Sequence, residues 1–176
     1  MAVQICFGLD VARYGDCSSA LCIRLQEQVS FRTFDSLPLN ILAKEVVAIV
    51  KSFHDKSVVY VDATGVGGGA YDCLVVELKG LKLDVKLVEV NFAGKPPMVD
   101  GVRLANDRAY IYYQMKRYLQ HHRLIIPEVY KREIVDYLGS LECSYDPRQR
   151  LLLDRKARNL GIIADLVDSL ALTFYE

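Results

Sequence analysis

Four consecutive apolar residues, Val58-Val59-Tyr60-Val61, stop at Asp62, and a glycine-rich turn (Gly65, Gly67, Gly68, Gly69) follows at once. A continuous apolar run of strand length marks a strand buried on both faces, so its sheet must carry helices on both sides. That requirement fixes an α/β class and organises the rest of the first half. Val3 to Leu9 is a first strand, stopped at Asp10. Cys17 to Leu25 is a second, Gln26-Glu27-Gln28 turns the chain, and Val29 to Phe34 alternates as a third, giving an antiparallel meander. After Pro38, the spacing of Ile41, Leu42, Val46, Ile49, Val50 and Phe53 predicts a helix. The run 58–61 is the fourth strand, the glycines open a helix containing Tyr71, Leu74, Val75 and Leu78, and Leu83 to Val90 is the fifth strand. The order is β-β-β-α-β-α-β.

Beyond Pro96-Pro97 the pattern becomes mainly helical. Helices are expected over about Asn106–Gln120 and Glu128–Leu138, with Leu124 to Pro127 extended between them. Ser140–Tyr145 and Leu151–Asp154 pair across Asp146-Pro147-Arg148-Gln149-Arg150, and a last helix runs from about Gly161 to Tyr175. No repeat or linker interrupts the 176 residues, so residues 1–176 form one domain. An apolar fraction of 52% with only 11 Gly and 5 Pro excludes a disordered or collagen-like chain. No apolar run approaches the ~20 residues of a membrane span, and Met1-Ala2-Val3-Gln4-Ile5 lacks the basic start of a secretory signal. The five cysteines form no C-x-x-C pair, which points to free thiols in a reducing compartment rather than a disulfide framework or thiolate zinc site.

The acids carry the functional signal. Asp10 closes the first strand and Asp62 the fourth. These strands run parallel if joined by the usual right-handed crossover, and as neighbours they set the two acids side by side, about 5 Å apart between backbones. Ligands of open α/β sheets bind at that edge. The closing helix adds Asp165 and Asp168, which at i,i+3 share a face of an otherwise apolar helix. Singly, an Asp ending a strand is commonly a turn former and an Asp on a helix commonly solvated. Converging carboxylates repel one another and need a cation, and oxygen-only donors favour Mg²⁺ or Mn²⁺ over zinc. Two such ions ~3.5–4 Å apart suit phosphodiester hydrolysis.

At these residues the chain resembles a known family. Its strand order and acids are similar to the ribonuclease H-like fold, a mixed five-stranded sheet of order 3-2-1-4-5 with strand 2 antiparallel, flanked by helices. Gly8-Leu9-Asp10-Val11-Ala12 with Gly15-Asp16-Cys17-Ser18, Val61-Asp62-Ala63-Thr64-Gly65-Val66-Gly67, and Ala164-Asp165-Leu166-Val167-Asp168-Ser169-Leu170-Ala171-Leu172 resemble segments of the nuclease domain of viral terminase large subunits. Asn106-Asp107-Arg108-Ala109 and Lys156 also look like that family. The resemblance implies a metal-dependent endonuclease cutting double-stranded viral DNA during packaging. Asp10 and Asp62 are its core ligands, Asp165 and Asp168 the third ligand and its helper, and Asp16 an accessory. The family often has Ser-Pro-Asp where this chain has Ile163-Ala164-Asp165, so either Asp165 or Asp168 can be the principal ligand. Implied partners are DNA, an ATPase motor domain, a portal and a small terminase subunit, in the cytoplasm of an infected host cell. No G-x-x-x-x-G-K-[ST] motor motif occurs in the sequence, so an isolated nuclease domain is expected.

Zero net charge argues mildly against a nucleic-acid partner, but the sum hides an uneven distribution. Residues 103–158 hold 12 bases against 7 acids. Arg148 and Arg150 lie at the tip of the predicted basic hairpin, Arg155, Lys156 and Arg158 just after it, and Arg108 on the long helix; all are candidate DNA-backbone contacts. A solvated charged loop is the plain alternative. Gly65 and Gly67 serve a sharp turn beside the site, with DNA-backbone approach secondary. His121-His122 caps the long helix, and Tyr110, Tyr112 and Tyr113 pack. The rival functions are a dimeric Holliday-junction resolvase, half of an actin-like or sugar-kinase ATPase, and a non-catalytic binding or assembly domain of the same fold.

Overall fold

A computed structural model describes residues 4–12, 18–53, 55–154 and 161–175. Strands β1 (Ile5–Asp10), β2 (Ser18–Leu25) and β3 (Gln28–Asp35) form the meander, then come α1 (Leu39–Lys51), β4 (Ser57–Asp62), α2 (Gly67–Leu78) and β5 (Val85–Val90). The sheet order is β3-β2-β1-β4-β5, with β1 antiparallel to β2 and parallel to β4. The second half adds α3 (Asp107–Leu119), α4 (Glu128–Ser140), the hairpin β6 (Glu142–Tyr145) and β7 (Leu151–Asp154), and α5 (Ile162–Leu172). This is the mixed sheet with flanking helices and extra hairpin expected of a ribonuclease H-like chain.

Strand alternation divides the core in two. Ile5, Phe7, Leu9, Leu21, Ile23, Val59 and Val61 point to the face covered by α1 and α2. Ala20, Cys22, Tyr60 and Val90 point to the other face, beneath α5 and the side chains of α3 and α4. Burying a side chain such as Phe7 or Leu9 contributes about 1.5–3 kcal/mol, so strand register is held strongly on the first face. On the second face β1 and β2 offer small residues, Cys6, Gly8, Ala20 and Cys22, which let a helix lie close. Burial pushes the Cys22 thiol well above its ordinary range. Cys22, Cys73 and Cys143 are free thiols.

The ends of several elements differ from expectation. The fourth helix continues to Ser140, whose hydroxyl donates to the Tyr137 carbonyl, so the hairpin begins at Glu142 rather than at Ser140. The extended piece before α4 is tied to the β2–β3 turn, with Ile125 N donating to Glu27 O at 2.8 Å and Val29 N to Ile125 O at 3.1 Å. Among the described residues no helix is long and apolar enough to cross a membrane.

Candidate active site

Leu9 and Val61 are the last paired residues of parallel β1 and β4. One step further, at the C-terminal edge of the sheet, stand Asp10 and Asp62, with backbones ~4.8 Å apart by strand spacing. Alternation puts both on the face covered by α5, in step with Gly8 and Tyr60. Both are half-buried. Like-charged carboxylates on adjacent strand ends repel one another.

Asp62 is fixed by the turn that follows it. Its Oδ1 accepts the Thr64 amide at 2.9 Å, and Thr64 Oγ1 accepts the Phe92 amide at 3.0 Å. Gly65 takes φ +69°, a left-handed conformation that favours glycine. At Gly67 a Cβ would collide with the Asp62 carbonyl oxygen and lie 2.8 Å from the Asp62 carbonyl carbon, so α2 starts directly behind the acid. These glycines let the chain turn and pack tightly.

The approach of α5 follows from two contacts with the sheet. Arg24 of β2, opposite Cys6, donates from Nε to Thr173 Oγ1 at 2.9 Å and from Nη2 to Thr173 O at 2.7 Å. The Ser169 carbonyl lies over Gly8, where an added Cβ would strike it. Four helical residues span ~6 Å and two strand residues ~6.6 Å. Counted back from Thr173 near Arg24 and Ser169 over Gly8, α5 runs toward the strand end that carries Asp10, with Asp165 one turn before Ser169. Asp165, in the first turn of α5, is half-buried.

Asp168, on the same side of α5, has other partners. It is 5% exposed, and its Oδ1 accepts Arg108 Nε at 3.1 Å and Tyr112 Oη at 2.7 Å, with Arg108 Nη2 at 2.9 Å. The Arg108 guanidinium also lies 4.9 Å from the centre of the Tyr112 ring. Burial opposes the Arg108 charge most strongly, but Asp168 together with Tyr112 and Tyr137 outweighs it and holds the guanidinium above its ordinary value. Burial, reinforced by the Asp168 charge, raises the Tyr112 hydroxyl well above the usual tyrosine range. Arg108, expected as a DNA-backbone contact, is 7% exposed and pairs with Asp168 inside the protein. Its neighbour Asp107 is also 7% exposed, and burial raises its carboxyl.

The basic hairpin is internally braced. Asp146 accepts the Arg148 and Arg150 amides on Oδ1, each at 2.9 Å, and Arg150 Nε on Oδ2 at 2.8 Å. Arg150 is thus partly neutralised, whereas the Arg148 side chain is exposed. Asp16, Arg155, Lys156 and Arg158 lie outside the described residues.

Among the described residues no three His, Cys, Asp or Glu side chains gather into a metal-binding group. Asp10 and Asp62 end neighbouring parallel strands, and Asp165 lies in the first turn of the helix whose Ser169 carbonyl passes over Gly8. An all-carboxylate donor set suits a hard divalent cation. The buried partners of Asp168 were missed in the sequence; the only local trace is that Arg108 and Tyr112 stand at i,i+4 on one face of α3.

No protein-family model matches the chain, and no curated protein sequence matches it significantly. Solved structures match in fold. The nuclease domain of the large terminase subunit gp2 of bacterial virus Sf6 superposes with a TM-score of 0.76 at 17% identity, covering 100% of this chain and 89% of that one. The large terminase nuclease from thermophilic phage G20c gives 0.66 at 14% identity, covering 99% and 83%. The large terminase nuclease domain of Thermus phage P74-26 gives 0.62 at 14%, covering 98% and 78%. The chain therefore has the fold of phage large-terminase nuclease domains.

Proposed function

We propose that this chain is a divalent-metal-dependent endonuclease that cuts double-stranded DNA during packaging of a viral genome. What carries the reading is the adjacency of Asp10 and Asp62 at the ends of neighbouring parallel strands, with Asp165 in the first turn of α5, the helix that packs over Gly8 of β1. The fold neighbours support it: a variant of the Sf6 domain has been solved with manganese, and the G20c nuclease with magnesium and with cobalt.

Asp10, Asp62 and Asp165 hold the ions, two Mg²⁺ or Mn²⁺, and Asp16 is an accessory ligand. Bound ions supply Lewis-acid polarisation of the phosphodiester and a hydroxide nucleophile at neutral pH. The chain's own residues set the geometry. The Thr64 amide orients the Asp62 carboxylate, and Gly8 lets α5 deliver Asp165 close to the sheet. Arg148 at the hairpin tip, with Arg150, Arg155, Lys156 and Arg158, supplies contacts to the phosphate backbone. Phosphate contacts carry no base information, so cleavage shows weak sequence preference. In the full assembly the domain works beside an ATPase motor, a portal and a small terminase subunit, in the host cytoplasm.

The test is incubation with supercoiled plasmid in Mn²⁺ or Mg²⁺. Wild type converts the plasmid to nicked and linear forms, chelator abolishes conversion, and Asp62→Asn is inactive. No metal-dependent cleavage by a folded wild-type domain selects the non-catalytic assembly reading instead.

A further inference from the structure

Two elements that carry proposed ligands, the β4 turn and α5, are joined by one path through the protein. It starts at Asp62, whose Oδ1 accepts the Thr64 amide at 2.9 Å, and passes through Thr64 Oγ1, which accepts the Phe92 amide at 3.0 Å. The Phe92 carbonyl then accepts the Arg108 amide at 3.2 Å. Arg108 reaches across with its guanidinium to Asp168 on α5, where Tyr112 Oη closes the cluster at 2.7 Å. Asp168 lies three residues beyond Asp165, on the same side of the helix.

We propose that the Arg108–Asp168–Tyr112 cluster is a positioning device, and that Asp168 is not a metal ligand but the anchor that sets Asp165 against Asp10 and Asp62. This rests on the metal site proposed above. The chemistry has two parts. Geometrically, the cluster fixes the rotation and height of α5 relative to the loop after β5, and through Phe92 and Thr64 relative to Asp62. Electrostatically, Asp168 occupies a cation buried about one helical turn from Asp165. An Arg108 left without Asp168 is a buried charge in search of a carboxylate, and Asp165 is the next acid on the same side of α5. It then competes with the metal.

This makes the order of metal affinities diagnostic. The experiment is a thermal-shift titration of the whole chain with MnCl₂, read as the Mn²⁺ concentration giving half the maximal shift. Asp168→Asn raises that concentration by about tenfold, the scale seen when groups that orient metal ligands are removed. The double variant Arg108→Met, Asp168→Asn removes the stranded cation and recovers affinity to within about threefold of wild type. Tyr112→Phe keeps the ring under Arg108 and loses one hydroxyl; it raises the half-saturating Mn²⁺ by a smaller factor and serves if Asp168→Asn does not fold.

Three results overturn the inference. Loss in Asp168→Asn that the double variant does not recover makes Asp168 a direct ligand. Half-saturating concentrations equal to wild type in Asp168→Asn and Tyr112→Phe, with only a lower melting temperature, make the cluster merely structural. A wild-type chain with no Mn²⁺-induced shift refutes the underlying metal reading itself, which separates that failure from the other two.

Discussion

Gly8→Ala perturbs the contact that lets α5 lie on β1. The added Cβ falls on the Ser169 carbonyl oxygen, 2.9 Å from Leu172 Cβ and 3.1 Å from the Ser169 carbonyl carbon, whereas ordinary contacts lie at 3.4–4 Å. Two of the three obstructing atoms are helix backbone, so no side-chain rotation relieves the overlap. The helix must lift by roughly 1 Å, although Arg24 at Thr173 and Arg108 at Asp168 hold it down. Overpacking of this kind costs about 1–3 kcal/mol, and a pinned helix belongs at the upper end. For a chain of this size each kcal/mol lowers Tm by about 2–4 °C, which predicts a fall of about 5–10 °C. The same ~1 Å displaces Asp165, and misplacement on that scale costs on the order of 100-fold in rate. Thermal melting by circular dichroism and Mn²⁺-dependent plasmid nicking measure the two effects. Gly139→Ala is the control, because a Cβ there meets nothing within 4 Å and the site lies in α4. A Gly8→Ala protein that melts within ~2 °C of wild type refutes the close approach of α5 to β1.

Asp62→Asn keeps an acceptor for the Thr64 amide while removing one of two adjacent charges. Without metal it melts higher than wild type, by up to roughly 1–2 kcal/mol of stability, and added Mn²⁺ no longer raises its Tm. A lower metal-free Tm contradicts the repulsion between Asp10 and Asp62. Arg24→Met loses two hydrogen bonds to Thr173 and the stacking of the guanidinium over Phe174 at 4.2 Å; a loss of about 2 kcal/mol is expected in denaturant titration. The hairpin tip titrates separately. Hydrogen bonding from the Arg150 side chain lowers the Asp146 carboxyl below its ordinary 3.8. Because the folded value is depressed, the tip's stabilisation is complete above the unfolded value and is lost as pH falls through the lowered one. Amide chemical shifts of Arg148 and Arg150 followed by NMR then change with a midpoint below 3.8, and a midpoint at or above it contradicts the bracing.

The sheet was legible because its signals are local. The apolar run before Asp62 demands helices on both faces, and alternation along β1 and β4 fixes which face the acids share. Gly8 illustrates what is not local: its position next to Leu9-Asp10 says nothing of Ser169, 161 residues away. The i,i+3 spacing of Asp165 and Asp168 shows a common face, yet their environments differ because Arg108 and Tyr112 arrive from another helix. Basic residues after 103 are alike in the sequence, but Arg108 is buried against Asp168 and Arg150 is braced by Asp146. Element ends moved for a similar reason. Ser140 completes α4 by donating to Tyr137 O, a choice that residue preferences alone leave open.

The most direct measurement of the metal site is anomalous diffraction from crystals soaked in MnCl₂. Manganese peaks between the carboxylates of Asp10 and Asp62, with Asp165 in the coordination sphere and Asp168 still bound to Arg108, are the predicted result. Manganese absent from that edge of the sheet, or held there by Asp168, contradicts the assignment.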